Sequence, residues 1–243
     1  VLFRSNYIRG KAEPWWWTKP TLQQMSNNAG FFSISDKNLR RFSELMIQDM
    51  SSVDILASWL QDESRFEKEL SNVYKIWLEY LNPYWSENPW SRALEGKKVL
   101  VVHPFVDSIQ KQYKKRAFLH KHPQTLPDFD LKTIKAVQGI GGVCNEGFKD
   151  WFDAFEYMKA EINKSNYDIC ILGCGAYGFP LAAHVKRMGK KAIHMGGATQ
   201  MLFGIKGKRW EDEYGEFMNE HWIRPSKEET PINAMKIENG CYW

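Results

Sequence analysis

Cysteine is scarce in this chain, and its few thiols form no recognisable cluster. The 243 residues contain four: Cys144, Cys170, Cys174 and Cys241. Only Cys170 and Cys174 are close, and their C-x-x-x-C spacing is neither a zinc knuckle nor a redox C-x-x-C pair. Reduced thiols in a cytoplasmic protein are therefore expected. No apolar run reaches the roughly 18 residues of a membrane span, and no signal peptide is visible. Neither sign of charge dominates: 33 basic against 29 acidic residues leave a formal +4. That excess is too small to argue for nucleic acid, although it allows a locally basic face toward an anion or a membrane surface. Internal repeats, low-complexity segments, Ser-His-Asp order, HExxH and Walker A are all absent.

What is present is globular bulk. Apolar residues make up 43% and charged residues 26%, over a length sufficient for one large or two small domains. Eleven tryptophans are an excess, with Trp15, Trp16, Trp17, Trp77, Trp85 and Trp90 in the first part of the chain. Two readings stay open for them: packing between subdomains, or a platform on which sugars or bases stack. The chain opens at Val1 on VLFRSNYIRG, which reads as the later part of a helix, so an N-terminal truncation is expected. ENGCYW (238–243) reads as a natural end.

Residues 10–20 read as an aromatic loop, and Thr18 with Pro20 can start a short helix through Met25. Asn27, Asn28 and Gly30 supply a turn. Ser35 is a good N-cap for an amphipathic helix carrying Leu39, Phe42, Leu45 and Met46. A strand is expected at 53–59 and a helix at 62–70, while 72–82 fits either. PWSRALEG closes a short helix on Gly96. KKVLVVHPF (97–105) is the cleanest buried strand, stopped by Pro104. A basic helix follows at about 106–117, then a strand in LKTIKAVQGI (131–140), the loop GIGGV and an amphipathic helix at 148–165. The sequence YDICILG (167–173), a helix at 177–188, KAIHMGG (191–197) and a helix near 198–205 complete the pattern. Strands alternating with helices predict an α/β, Rossmann-like parallel sheet flanked by helices. The expected organisation is one domain: a mixed N-terminal part (1–96), a nucleotide-binding-like core (97–206) and a wrapping C-terminal tail (207–243).

In such sheets ligands bind at the carboxyl ends of strands. Three of those ends carry unusual residues here: His103-Pro104-Phe105, Gly173-Cys174-Gly175 and His194-Met195-Gly196-Gly197. Gly173, Gly175 and Gly178 fit G-x-G-x-x-G between a strand and a helix, where backbone N–H groups can cradle phosphate. The acid that would hold a dinucleotide's ribose is missing after the next strand, which turns the reading away from NAD. The expected cradle is Gly173, Cys174, Gly175, Ala176 and Tyr177. Phe105, Gly196, Gly197 and Gln200 should line the same cleft, with His103 as a ligand or base. Lys206 and Arg209 could clamp a diphosphate. Asp128-Phe129-Asp130 resembles a cation-holding D-x-D triplet, but a surface turn explains it as well.

KKVLVVHPF, LPDFDLKTIKAVQ, FDAFEYMKAEI and the long block DICILGCGAYGFPLAAHVKRMGKKAIHMGGATQMLFGIKGKRW resemble bacterial proteins found with capsule and O-antigen biosynthesis genes. That family is similar to the GT-D-type glycosyltransferases. The resemblance implies hexosyl transfer from a nucleotide sugar to a glycan acceptor, at the inner face of the membrane. It also implies a magnesium or manganese ion held by an acidic D-x-E-type motif near the start of the domain. Nothing in residues 1–26 matches that motif, since Glu13 stands alone before Pro14. The rival expectations are an NAD- or other nucleotide-dependent Rossmann enzyme, and a non-catalytic binding or assembly protein of a polysaccharide machine.

Overall fold

The computed structural model describes residues 19–139 and 147–243. The expected helix end at 1–9, the three consecutive tryptophans, the Thr18 cap and the GIGGV loop beyond Gly139 lie outside the described residues. The first helix, α1, spans Lys19–Asn27 and ends in a turn at Gly30, whose φ is +69°. The next, α2 (Asp36–Met50), is capped as its sequence predicts: the Ser35 hydroxyl accepts the Asn38 N–H at 3.1 Å.

A small parallel sheet follows, with β1 at Ile55–Ser58 and β2 at Tyr74–Trp77. The helix expected at 62–70 is instead a 3-10 stretch, Gln61–Phe66. The Glu63 carboxylate causes this by folding back. It accepts the N–H groups of Trp59 and Leu60, both at 3.0 Å, and the Ser58 hydroxyl. Those bonds fix a tight turn where an α-helix would have to begin. Residues 72–82 divide into β2 and a 3-10 turn, Leu78–Leu81. Trp90–Leu94 is another 3-10 turn, leading to Gly96 at φ +66°.

The main sheet begins with β3 (Lys98–His103), followed by helix α3 (Val106–Tyr113) and β4 (Asp130–Lys135). Then come α4 (Trp151–Lys164), β5 (Ile169–Leu172), α5 (Gly178–Arg187) and β6 (Lys191–His194). All pairings are parallel, in the order β4-β3-β5-β6. Short helices α6 (Thr199–Leu202) and α7 (Lys208–Tyr214) lead into the C-terminal tail.

Side-chain alternation on the central strands divides the interior in two. Leu100 and Val102 of β3, with Cys170 and Leu172 of β5, face α1, α2, α4 and α5. Val99, Val101, Ile169 and Ile171 face α3, α6, α7 and the tail. The direction of travel explains the division. The chain moves one way along the sheet from β3 to β4, then returns past β3 to β5 and β6. Right-handed crossovers running in opposite directions fall on opposite faces. The chain therefore forms an α/β protein whose parallel sheet is covered on both faces.

The first core centres on Trp151, the first residue of α4 and fully buried. Its indole stacks on Tyr177 at 4.6 Å between centroids, with the planes 1° apart. Phe42 and Phe155 sit at 5.0 and 5.3 Å from it. One ring thus joins α2, α4 and the turn after β5. The tryptophans divide by role: Trp151, Trp210 and Trp222 are buried, whereas Trp59, Trp77 and Trp85 are exposed. Trp151→Ala is expected to destabilise the protein by about 3–5 kcal/mol, because it removes a fully enclosed ring and leaves a cavity. Urea unfolding measures this, and a loss under about 1 kcal/mol would remove the indole from its central position.

Candidate functional site

A cleft opens at the carboxyl ends of β3 and β5, where the strand order reverses. That reversal point is where open α/β sheets hold ligands. The cleft floor is made by His103, Pro104 and Phe105 after β3, and by Gly173, Cys174, Gly175 and Tyr177 after β5. Ala136 to Gly139, after β4, form one side, and Asn28 to Gly30 another. Gly197, Gln200, Tyr242 and Trp243 complete the wall. Space for the centre of a water molecule amounts to about 80 Å³, inside about 610 Å³ of atom-free volume that includes the open mouth.

His103 is 2% exposed and anchored by its backbone neighbour: its Nδ1 accepts the Phe105 N–H at 3.0 Å. A backbone N–H only donates, so the proton of the neutral ring belongs on Nε2. Burial pulls the His103 pKa down to about 3, so the ring is uncharged at neutral pH. The nitrogen left for a ligand therefore carries a hydrogen. The base expected from sequence is, in this geometry, a fixed hydrogen-bond donor.

The G-x-G-x-x-G glycines have separate causes. A Cβ on Gly173 would lie 2.5 Å from His103 Cδ2 and 2.6 Å from Thr199 Oγ1. A Cβ on Gly178 would lie 2.2 Å from the His194 ring. Both are small to let side chains pass. Gly175 instead needs a left-handed backbone, at φ +57°. That turn leaves the N–H groups of Cys174, Gly175 and Ala176 without a hydrogen-bond acceptor among the described residues. Three successive free donors just before helix α5 form an anion-favouring corner. The Cys174 thiol also lines the cleft, but burial pushes its pKa far above the ordinary thiol value. It is not an activated nucleophile.

Several other expected residues lie outside the lining, and Gln200, which belongs to it, is already engaged. Ala176 packs against the first core, and Gly196 is outside the cleft lining. His194 donates from Nδ1 to the Leu172 carbonyl at 3.2 Å and packs on Gly178. The Gln200 amide nitrogen is engaged by three carbonyls, those of Ile205, Lys206 and Tyr242, at 3.4, 3.0 and 3.1 Å. Lys206 and Arg209 do not line the cleft; the Arg209 guanidinium pairs with Glu238. Asp130 starts β4 and Asp128 pairs with Arg116 at 2.6 Å, which puts that acidic triplet at the amino ends of the strands, away from the cleft at their carboxyl ends.

Two contributors escape sequence reading. Tyr242 and Trp243 are far from the glycine motif in sequence, yet they wall the cleft. Glu229, also in the tail, is 4% exposed and caps α3. Its carboxylate accepts the N–H groups of Asp107 and Ser108 at 2.9 and 3.2 Å, and the Ser108 hydroxyl. The helix following β3 thus has an internal anion at its N-terminus.

No charged side chain lines the cleft among the described residues, and none of them forms a group of three metal-ligating side chains. A hard divalent cation prefers carboxylate oxygens, and the described lining offers none, so it does not fit the expected magnesium or manganese. No helix among the described residues is long and apolar enough to cross a membrane. Comparison with family models, curated proteins and solved structures returns no match for this chain.

Gly173→Ala should cost about 1–3 kcal/mol in unfolding stability, because the methyl group must displace His103 or Thr199. A neutral result would mean that those side chains yield freely. A second expectation concerns acid. Burial holds His120 at about 4 and His103 at about 3, both below the ordinary 6.5. The unfolded chain then binds protons that the native one refuses, so this stability is fully present above about pH 6.5 and is lost as pH falls toward the folded values. The urea midpoint should drop between about pH 7 and about pH 5, more shallowly in His120→Gln. An identical slope in that variant would refute the neutral buried ring.

Proposed function

We propose that the cleft binds the diphosphate portion of a nucleotide sugar, and that the protein serves hexosyl transfer onto a glycan in cell-surface polysaccharide synthesis. The observation carrying this reading is the pair of N–H groups at Cys174 and Gly175, two residues that line the cleft beside the buried His103, with no acceptor among the described residues. Donors of this kind stabilise negative charge on a phosphate, both in the bound ligand and as a leaving group develops. Phe105, Tyr242 and Trp243 offer aromatic surface to a base or a sugar ring. The family resemblance of the 167–210 block supplies the sugar.

One observation favours a second reading. With no carboxylate lining the cleft among the described residues, no side chain there is suited to act as base toward an acceptor hydroxyl. Nucleotide binding without chemistry, within a polysaccharide machine that acts at the membrane, fits that arrangement. An NAD-type enzyme fits less well, because β6 ends in His194 and Met195 where a ribose-binding acid would stand.

A thermal-shift panel of nucleoside diphosphates, nucleotide sugars and NAD tests these readings. At about 100 times its Kd a ligand stabilises by about 2.7 kcal/mol, or roughly 5–10 °C for a chain of this size. Nucleoside diphosphates should give such a shift, and His103→Gln should reduce it. Transfer requires, in addition, release of nucleoside diphosphate from the sugar donor when a glycan is supplied. Failure of every nucleotide to raise the melting temperature would sink the proposal, and a response to NAD alone would replace it.

A further inference from the structure

We infer that the segment Glu238–Trp243 is a hinged strap across the cleft, with the Glu238–Arg209 ion pair as its latch. The inference rests on the reading that the cleft binds a ligand. The cleft is partly open to solvent, and Tyr242 and Trp243 wall one side of it, so a ligand as large as a nucleotide sugar would meet their rings.

The strap is the part of the wall built to move. Ile237 is 1% exposed and anchors its start in the interior. The next three residues, Glu238, Asn239 and Gly240, have φ of +46°, +58° and +76°. Two side-chain-bearing residues in succession in the left-handed region store strain, and such strain collects at switching segments. Beyond them, Tyr242 lies so close to Gly197 that a Cβ there would be 2.4 Å from its ring. Trp243 packs edge-on to Phe105 at 6.0 Å. Both rings close over the cleft from one side.

The closed position is held by polar contacts to α7 and the tail, including the Cys241 carbonyl accepting the Arg209 N–H at 3.0 Å and the Glu229 carbonyl accepting the Trp243 indole N–H at 3.3 Å. The Tyr242 carbonyl accepts from Gln200 at 3.1 Å, and the Trp243 carbonyl from Arg224 at 3.0 Å. The Glu238 carboxylate joins the Arg209 guanidinium on α7 to the Asn28 amide, 3.4 Å away on the opposite wall. It therefore ties the segment to both α7 and the turn after α1. Arg209 and Glu238 remain 41% and 43% exposed as side chains, so the pair is solvent-screened and weak. An incoming diphosphate can compete with Glu238 for the same guanidinium, which would open the strap where the ligand enters.

Hydrogen exchange on the full chain tests this directly. In Glu238→Gln the amides of Gly240, Cys241 and Trp243 should exchange about threefold faster or more, while β3 and β5 stay unchanged. About 1 M salt should bring the wild type toward the variant. Unchanged exchange in the variant, or equal acceleration in β3 and β5, would overturn the latch. UDP is then added as probe, and the same amides should change protection in the wild type. If UDP binds and they do not respond, the strap does not gate the cleft. If neither UDP nor any other nucleoside diphosphate binds, the functional reading fails, while the exchange comparison still decides whether the latch exists.

Discussion

The pairing of β3 with β5 is the constraint on which the rest of this molecule depends. These two strands are neighbours in the sheet but not in sequence, because the chain visits β4 between them. Going out to one side and returning to the other obliges the connecting helices to lie on opposite faces. That places the aromatic core around Trp151 on one face and the tail on the other. It also parts the connections at the carboxyl ends of β3 and β5, and the cleft is the gap they leave. The Trp151–Tyr177 stack then fixes the turn after β5 against the first core.

A glycine motif at a strand end reads as an invitation to a ligand, and here packing accounts for most of its glycines. Gly173 and Gly178 are small because His103, Thr199 and His194 pass over them. Gly197 is small because Tyr242 does. Gly175 alone of these is required for its left-handed backbone, at φ +57°. Packing and binding are nonetheless linked. The absent side chain of Gly173 lets the His103 ring lie against the end of β5, where its donor joins the backbone ones.

What was legible in sequence follows from the range of the forces involved. KKVLVVHPF reveals β3 because a strand buried on both faces must be continuously apolar, and Ser35 marks α2 because a cap is a local bond. The alternation of strands and helices was enough to give the parallel sheet. The region 62–70 misleads because its charges suit an exposed helix, while a single carboxylate, Glu63, closes a turn instead. Lys206 and Arg209 read as a free basic run because nothing nearby in sequence reveals Glu238 as a partner, 29 residues beyond Arg209. Tyr242, Trp243 and the Asn28–Gly30 turn reach the cleft through tertiary packing alone, and no periodicity records that.

The electrostatics of the cleft then narrow what it can hold. No Lys or Arg lines the cleft among the described residues. For an anion, attraction there would have to come from oriented backbone dipoles, which act strongly only where water is excluded. Two helices following central strands could supply them. At α3 the Glu229 carboxylate already accepts the exposed N–H groups. At the turn before α5 no such internal anion is present among the described residues. The tail thus satisfies one anion-favouring end of the sheet and, through Tyr242 and Trp243, narrows access to the other.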